Sequence, residues 1–495
     1  MFSVSEFIHD YDSPFRHRAE TSSDYGVTVN GRKAAVYTCR ISEYPFNRVW
    51  PGFQRPVNQS EICSFVNITG SGKLDFNVRI SNPSGEVVVK PRSKAVKTEK
   101  TENGVRFTLS ENGNYVLFNG SYHRCLYIFY SKEIPCENES DATYYFGAGV
   151  HFAGKITLHD NESVYIDKNA LVYGNIYAEN AKNLRVFGNG VLDGSGEERF
   201  DKSCYENYTN GNVKFYDCEN VKIEGVLLKN SAIWCVNLFH CFSVDIENVK
   251  IFGQWRYNTD GIDVVNCSDV KIRNAFVHSF DDAIAVKGIE RYKYRNVKDI
   301  SVENCVLWCD WGKTLEIGLE TRCDEISDVT FINCDVIRGG NTVCDIQNGD
   351  YAFVHNIKFE NIRVDVEKYY TPEEIQTSDD ARYQSENRTA VTNLFSLSNR
   401  QFISDEWEIE ASEKSLLPEK AATATDVSIK NASVYIDERI EKRDGRYNVP
   451  IVIRSVLKGK YNGSVTVENF TVNGTKINAE NAVIDVNGIT EFVIK

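Results

Sequence analysis

A short pattern recurs nine times between residues 184 and 469: an apolar residue, any residue, a second apolar residue, one further position, then Asn or Gly. It runs Leu184-Val186-Gly188, Val221-Ile223-Gly225, Val244-Ile246-Asn248, Val270-Ile272-Asn274, Ile300-Val302-Asn304, Val329-Phe331-Asn333 and Ile357-Phe359-Asn361. Two more copies, Val427-Ile429-Asn431 and Val465-Val467-Asn469, follow a long interruption. Alternating apolar residues mark short strands with one buried face. Asn and Gly tolerate a left-handed backbone, so a sharp bend is expected after each strand. Intervals from Val221 to Ile357 are 23, 26, 30, 29 and 28 residues, which suits stacked solenoid coils. Period-2 alternation excludes helical repeats. A parallel β-helix is expected, with stacked Asn side chains forming an internal hydrogen-bonding ladder.

At 495 residues the chain is long enough for more than one core. Residues 1–140 lack the repeat but hold strand-like runs, among them Leu74 to Ile80, Val105 to Leu109 and Cys125 to Tyr130, separated by turn residues. The expected organisation is all-β: an N-terminal β-sandwich over 1–140, then a right-handed parallel β-helix over 141–495. A long insertion at about 367–425 is expected, either as a wall along one side of a cleft or as a disordered surface loop. The net charge of −14 argues against nucleic acid and anionic membranes as partners. The start of the chain, Met1-Phe2-Ser3-Val4-Ser5-Glu6, has neither a basic nor an apolar leader segment, so a cytoplasmic protein is expected, or a secreted one if a signal has been trimmed. The 14 cysteines are scattered at strand positions and read as small buried thiols. Cys305 and Cys309 lack the further ligands of a zinc site, and no metal or organic cofactor is expected.

Within the repeat stands Asn258-Thr259-Asp260-Gly261, and 21 residues after Asp260 comes Asp281-Asp282. That spacing is close to one coil. It would stack three carboxylates into one acidic cluster on a solvent-facing sheet. Repulsion among them would keep a proton on at least one near neutral pH. A protonated carboxyl beside an ionised one is what glycosidic cleavage requires. Trp255, Tyr257 and Trp234 could stack on a sugar ring, as could Trp308 and Trp311. Glu316 and Glu320 share a strand face and could bind hydroxyls or pair with Arg322. Asn258 is expected to position Asp260 or to accept a turn conformation, and Lys287 to line the same sheet. His240 and His278 read as structural residues.

These motifs, over residues 144–365, resemble the β-helical glycoside hydrolases: the polygalacturonase family (family 28) and the dextranase and isopullulanase family (family 49). Asn258 to Gly261 matches the Asn-Thr-Asp-Gly motif of the polygalacturonases, and Asp281-Asp282 their paired aspartates. Gly312-Lys313-Thr314 looks like their Gly-His-Gly segment, with Lys313 in place of His. A sandwich ahead of the helix is similar to the dextranase layout. Where polygalacturonases carry an Arg-x-Lys pair for the uronate carboxylate, this chain reads Cys344-Asp345-Ile346-Gln347. Asp345 would repel the anion that Arg binds. The resemblance therefore implies a glycoside hydrolase acting on a neutral oligo- or polysaccharide, with Asp345 and Gln347 at its sugar-binding face and Lys313 lowering an aspartate's pKa or binding a hydroxyl. It also implies inversion, with Asp281 as general acid and Asp260 and Asp282 orienting and deprotonating water. Alternatives are a glycan transferase or lyase on the same scaffold, or a non-catalytic carbohydrate-binding β-helix. A homo-oligomer is left open.

Overall fold

The computed structural model describes residues 2–7, 20–42, 60–199, 211–366, 392–399 and 424–437, with shorter stretches between 442 and 495. Among these residues there are strands, turns and short 3₁₀ turns, and no α-helix. From Tyr144 onward the strands stack in parallel as a right-handed β-helix, apart from two short antiparallel pairs, Lys442–Arg443 with Arg446–Tyr447 and Thr471–Val472 with Thr475–Lys476. One coil illustrates the path: Glu219–Glu224 on a first face, Leu227–Lys229 on a second, Val236–Phe239 on a third, then Phe242–Glu247 back on the first. Each strand pairs with its equivalent one coil later, as Val221 with Val244, Leu227 with Lys250 and Val236 with Ile262.

The repeat explains the coil. Both apolar residues of each copy point inward, and all of them from Leu184 to Val467 belong to one continuous core. Each such side chain contributes about 1.5–3 kcal/mol when fully buried. All nine Asn or Gly positions adopt positive φ, from 51° at Asn469 to 124° at Gly188. A second left-handed series escaped the sequence reading. In eight of the nine copies the residue just before the first apolar position also has positive φ, including Ser243, Asp269, Asp299 and Asp328. The mixed Asn, Asp and Ser composition hid that series.

The Asn ladder is not internal. Asn361 donates to Asn333 at 3.0 Å and Asn469 to Asn431 at 2.8 Å, but these amides lie at a partly exposed corner. Left-handed backbone at the corner turns the side chains away from the apolar interior. The expected insertion at 367–425 is crossed by a strand, Thr392–Asn399, which pairs with Thr342–Asn348 and Ile451–Val456 on the third face. The flanking segments 367–391 and 400–423 lie outside the described residues.

The N-terminal part forms two facing sheets. One holds Phe2–Val4, Tyr37–Ser42, Ser60–Gly70, Val87–Lys90, Gly113–Asn119 and Leu126–Ser131; the other holds Tyr25–Val29, Arg32–Ala34, Leu74–Ile80, Glu99–Thr101 and Gly104–Leu109. Val66, Ile68, Phe76 and Phe107 fill the space between them. The first sheet also buries its outer side. Phe65, Phe118, Tyr127 and Phe129 pack on Leu227, Phe252, Phe276, Val306 and Trp308 of the helix's second face. Covered on both sides, Leu126–Ser131 reads as an unbroken buried run. The second face is therefore closed by the sandwich, and the adjoining third face carries the site. Of the described cysteines none forms a disulfide, and all but Cys136 are buried.

Candidate active site

The three aspartates stand where coils turn from the second face into the third. Cys235 N–H donates to Asp260 O, Gly261 N–H to Asp282 O, and Ala283 N–H to Lys313 O, at 2.9, 2.8 and 2.8 Å. Trp234, Asp260, Asp282 and Lys313 thus follow one another on successive coils. Glycine permits this close stacking. A Cβ on Gly261 would stand 2.3 Å from the Ala283 carbonyl oxygen, and one on Gly312 within 2.5 Å of Asp282 N and Asp281 Oδ1. Further along the strands, outward positions align as Asn237, Asp263, Ala285, Glu316 and Asp345. Glu316 and Asp345 are immediate neighbours, and the small Ala285 separates Glu316 from Asp263.

The carboxylates are far more covered than a solvent-facing trough would leave them: Asp260 is 2% exposed and Asp281 and Asp282 6% each. They lie outside the apolar interior all the same, on the outer surface of the coil, among charged groups. Lys287 organises them. Its ammonium is 3.5 Å from Asp260 Oδ2, 3.4 Å from Asp263 Oδ1, 3.4 Å from Asp282 Oδ2 and 3.6 Å from Glu320 Oε2. It also sits 4.4 Å from the centroid of the Trp234 ring. Burial disfavours the ammonium, but the four carboxylates hold its pKa well above the usual lysine value. Lys313 supplies the second cation, 3.5 Å from Glu316 Oε1 and 3.9 Å from Asp282 Oδ1, while its backbone N–H donates to Asp282 Oδ1 at 2.8 Å.

The adjacent aspartates are driven apart. Burial, and then the charge of Asp282, push Asp281 up to about 7. Burial would raise Asp282 too, yet Lys313 and Lys287 hold it below the usual carboxylate range. Burial raises Asp260 well above that range, helped by Asp263 and Asp281; Glu316 is raised by burial and by Asp282. The cluster therefore keeps Asp282 ionised beside carboxyls that retain protons.

Asn258 adopts φ 53°, and its Nδ2 donates to Asp281 Oδ2 at 3.2 Å, not to Asp260. Arg199 donates to Asn258 Oδ1 at 2.9 Å and so fixes the amide's orientation. Glu316 and Glu320 point to lysines; Arg322 instead pairs with Asp350 at 3.0 Å and Glu290 at 3.3 Å. Gln347 neighbours Gly318 on the same face and is 6% exposed. Trp234 and Trp255 are each 3% exposed, too covered to offer open stacking faces. Trp308 is fully buried against Phe118 and the other aromatics of the sandwich, far from the role of a sugar platform. Tyr257 and Trp311 are half-buried and stack at 6.1 Å, beside the turn that carries Asn258. Asp263 was missed, although it lies three residues after Asp260, because an Asp inside an apolar strand carries no periodic signal. Among the described residues no group of three or more His, Cys, Asp or Glu is arranged to hold a metal ion.

Comparison with known proteins covers most of the chain. The profile of "Glycosyl hydrolases family 28" matches residues 133–449. A probable polygalacturonase of Arabidopsis thaliana is 24% identical over 239 residues, covering 45% of this chain and 50% of that protein. A probable endopolygalacturonase D of Neosartorya fischeri is 27% identical over 237 residues, covering 44% and 47%. The chain spans about half the length of the curated relatives it matches. Dex49A from Penicillium minioluteum superposes over 100% of this chain and 96% of its own, with a TM-score of 0.67 at 13% identity. That likeness shows a shared fold.

Proposed function

Because this chain belongs to the glycosyl hydrolases of family 28, we propose that it hydrolyses a neutral oligo- or polysaccharide by single displacement with inversion, and that it is not a polygalacturonase. The observation that carries the mechanism is the unequal surroundings of two adjacent residues: Asp282 receives the Lys313 backbone N–H and faces both lysine ammoniums, whereas Asp281 receives the Asn258 amide. Asp281, pushed up to about 7, holds a proton near neutral pH, while Asp282 is kept ionised by Lys313 and Lys287. Asp281 donates its proton to the glycosidic oxygen as that oxygen leaves the anomeric carbon. Asp282 takes a proton from water, whose oxygen attacks the anomeric carbon from the opposite side. Asp260, raised well above the carboxylate range, orients that water. Lys287 is the counter-charge that lets the cluster stay folded and keeps the base anionic.

Substrate neutrality rests on the outward column. Asp345 stands beside Glu316 where a uronate-binding site would present cations. Both lysines are already engaged with carboxylates. Glu320, Asp345 and Gln347 suit hydroxyl groups, Glu316 being fully buried behind Lys313, and Tyr257 with Trp311 offers a ring face. The test is incubation with a panel of neutral glycans, dextran included, beside polygalacturonate, with products followed by mass spectrometry and the released anomer by NMR. Cleavage of a neutral glycan with inverted configuration supports the reading. Cleavage of polygalacturonate alone, or retained configuration, overturns it.

A further inference from the structure

Tyr127 belongs to the N-terminal sandwich, yet its hydroxyl reaches into the β-helix and stands 2.7 Å from His278 Nδ1. His278 Nε2 is 3.0 Å from Asp310 Oδ2, and Trp308 Nε1 donates to Asp310 Oδ1 at 2.8 Å. A carboxylate only accepts, so the imidazole carries its proton on Nε2 and takes the tyrosine hydroxyl's hydrogen on Nδ1. Burial pushes the Tyr127 phenol well above its ordinary value, so it remains a donor. His278 and Trp308 also stack face to face at 4.0 Å and 15°. Tyr127, His278 and Trp308 are fully buried, and Asp310 is 5% exposed.

The position of this chain of contacts is what gives it meaning. His278 lies three residues before Asp281, and Asp310 three before Lys313. The two turns are laid on each other: Asp310 N–H donates to Ser279 O at 3.0 Å, Trp311 N–H to Phe280 O at 2.8 Å, and Ser279 Oγ to Asp281 O at 2.5 Å. Cys309 Sγ approaches Asp281 O at 3.2 Å. The same turn-on-turn stacking delivers the Lys313 N–H to Asp282.

We propose that Tyr127 is a positioning residue for the Asp281–Asp282 pair, acting through His278 and Asp310, so that the N-terminal sandwich is an integral part of the active site. The inference rests on the catalytic reading of that pair. Without the hydroxyl, His278 Nδ1 is a buried acceptor with no donor, and the imidazole loses the contact that sets its angle to Asp310.

The test uses the full chain with Tyr127→Phe, His278→Gln and His278→Leu, and with Phe129→Leu as control. Phe129 packs at the same interface, on Phe252 and Phe276, but makes none of these hydrogen bonds. Hydrogen exchange read by mass spectrometry follows segments 276–283 and 306–314. In Tyr127→Phe both segments exchange about tenfold faster, while 236–239 keeps wild-type rates. His278→Gln, whose amide can both donate to Asp310 and accept from Tyr127, stays near wild type; His278→Leu does not. On a glycan that the panel finds to be cleaved, Tyr127→Phe lowers kcat about tenfold with KM unchanged. Unchanged exchange in the two segments overturns the proposal, as does equal loosening by Phe129→Leu. The exchange measurement needs no substrate, so unchanged exchange overturns the proposal even if no glycan in the panel is cleaved.

Discussion

Lys313 meets Asp282 twice: its backbone N–H donates to Oδ1 at 2.8 Å, and its ammonium lies 3.9 Å from the same oxygen. The first contact depends on how one coil rests on the next and the second on the side chain. Polygalacturonases, by the resemblance above, carry His where this chain has Lys313. A permanent cation there holds Asp282 ionised across the range in which a histidine would lose its charge.

That arrangement sets the pH dependence. In the proposed mechanism Asp281 works in its protonated form, and burial and the charge of Asp282 push it up to about 7, so kcat/KM is expected to fall as pH rises through that value. Asp282, the proposed base, is held low by Lys313 and Lys287, so the acid limb is expected below the ordinary carboxylate range. A pH–rate profile on the cleaved glycan measures both limbs; activity that stays level from pH 6 to 9 would show that Asp281 is not the acid. Asp281→Asn is expected to lose about 10²–10⁴-fold in kcat.

Lys287→Met removes the cation shared by Asp260, Asp263, Asp282 and Glu320. Breaking a buried ion pair from one side costs about 3–5 kcal/mol. The loss is largest at high pH and shrinks as pH falls, because the stranded carboxylates can then take up protons. Urea unfolding at pH 5 and pH 8 reads the difference. Equal destabilisation at both would mean that the charge of Lys287 is not what matters.

Gly312→Ala places a Cβ within 2.5 Å of Asp281 and Asp282 atoms, two of them backbone. Backbone yields poorly, so the turn must shift, at a cost of about 1–3 kcal/mol. A displacement of ~1 Å at the aspartates is expected to reduce kcat about 10²-fold. Thermal unfolding and turnover together check it; an alanine variant as active as the wild type would mean the two turns are not packed as described.

Asp345→Asn keeps the shape of the side chain and deletes a negative charge beside Glu316. Affinity for oligogalacturonides should rise about tenfold, equivalent to ~1.4 kcal/mol, while binding of neutral glycans changes little. Affinity electrophoresis in gels cast with polygalacturonate or dextran separates the two effects. No gain on polygalacturonate would remove Asp345 as the residue that excludes uronates.

Asn333→Ala forces a Cβ-bearing residue without a helpful amide into φ 57°. The expected cost is about 1–2 kcal/mol, with Asn333→Gly cheaper. Urea midpoints of the two variants measure the order.

The sequence by itself determined the coil. Its signals are local: two inward apolar residues and a bend residue need only their neighbours to be recognised, as at Val244-Ile246-Asn248. The offset between Asp260 and Asp282 was legible for the same reason, being close to one repeat. What the tertiary structure alone decided lies between coils and between the two parts of the chain. Lys287 gathers carboxylates from three coils, Asn258 chooses Asp281 over Asp260, and Trp308 is buried under Phe118. These contacts join residues up to roughly two hundred positions apart and follow no period. Which side chain is covered, and which charge it meets, depends on how the sandwich settles on the second face and how each coil registers on the last.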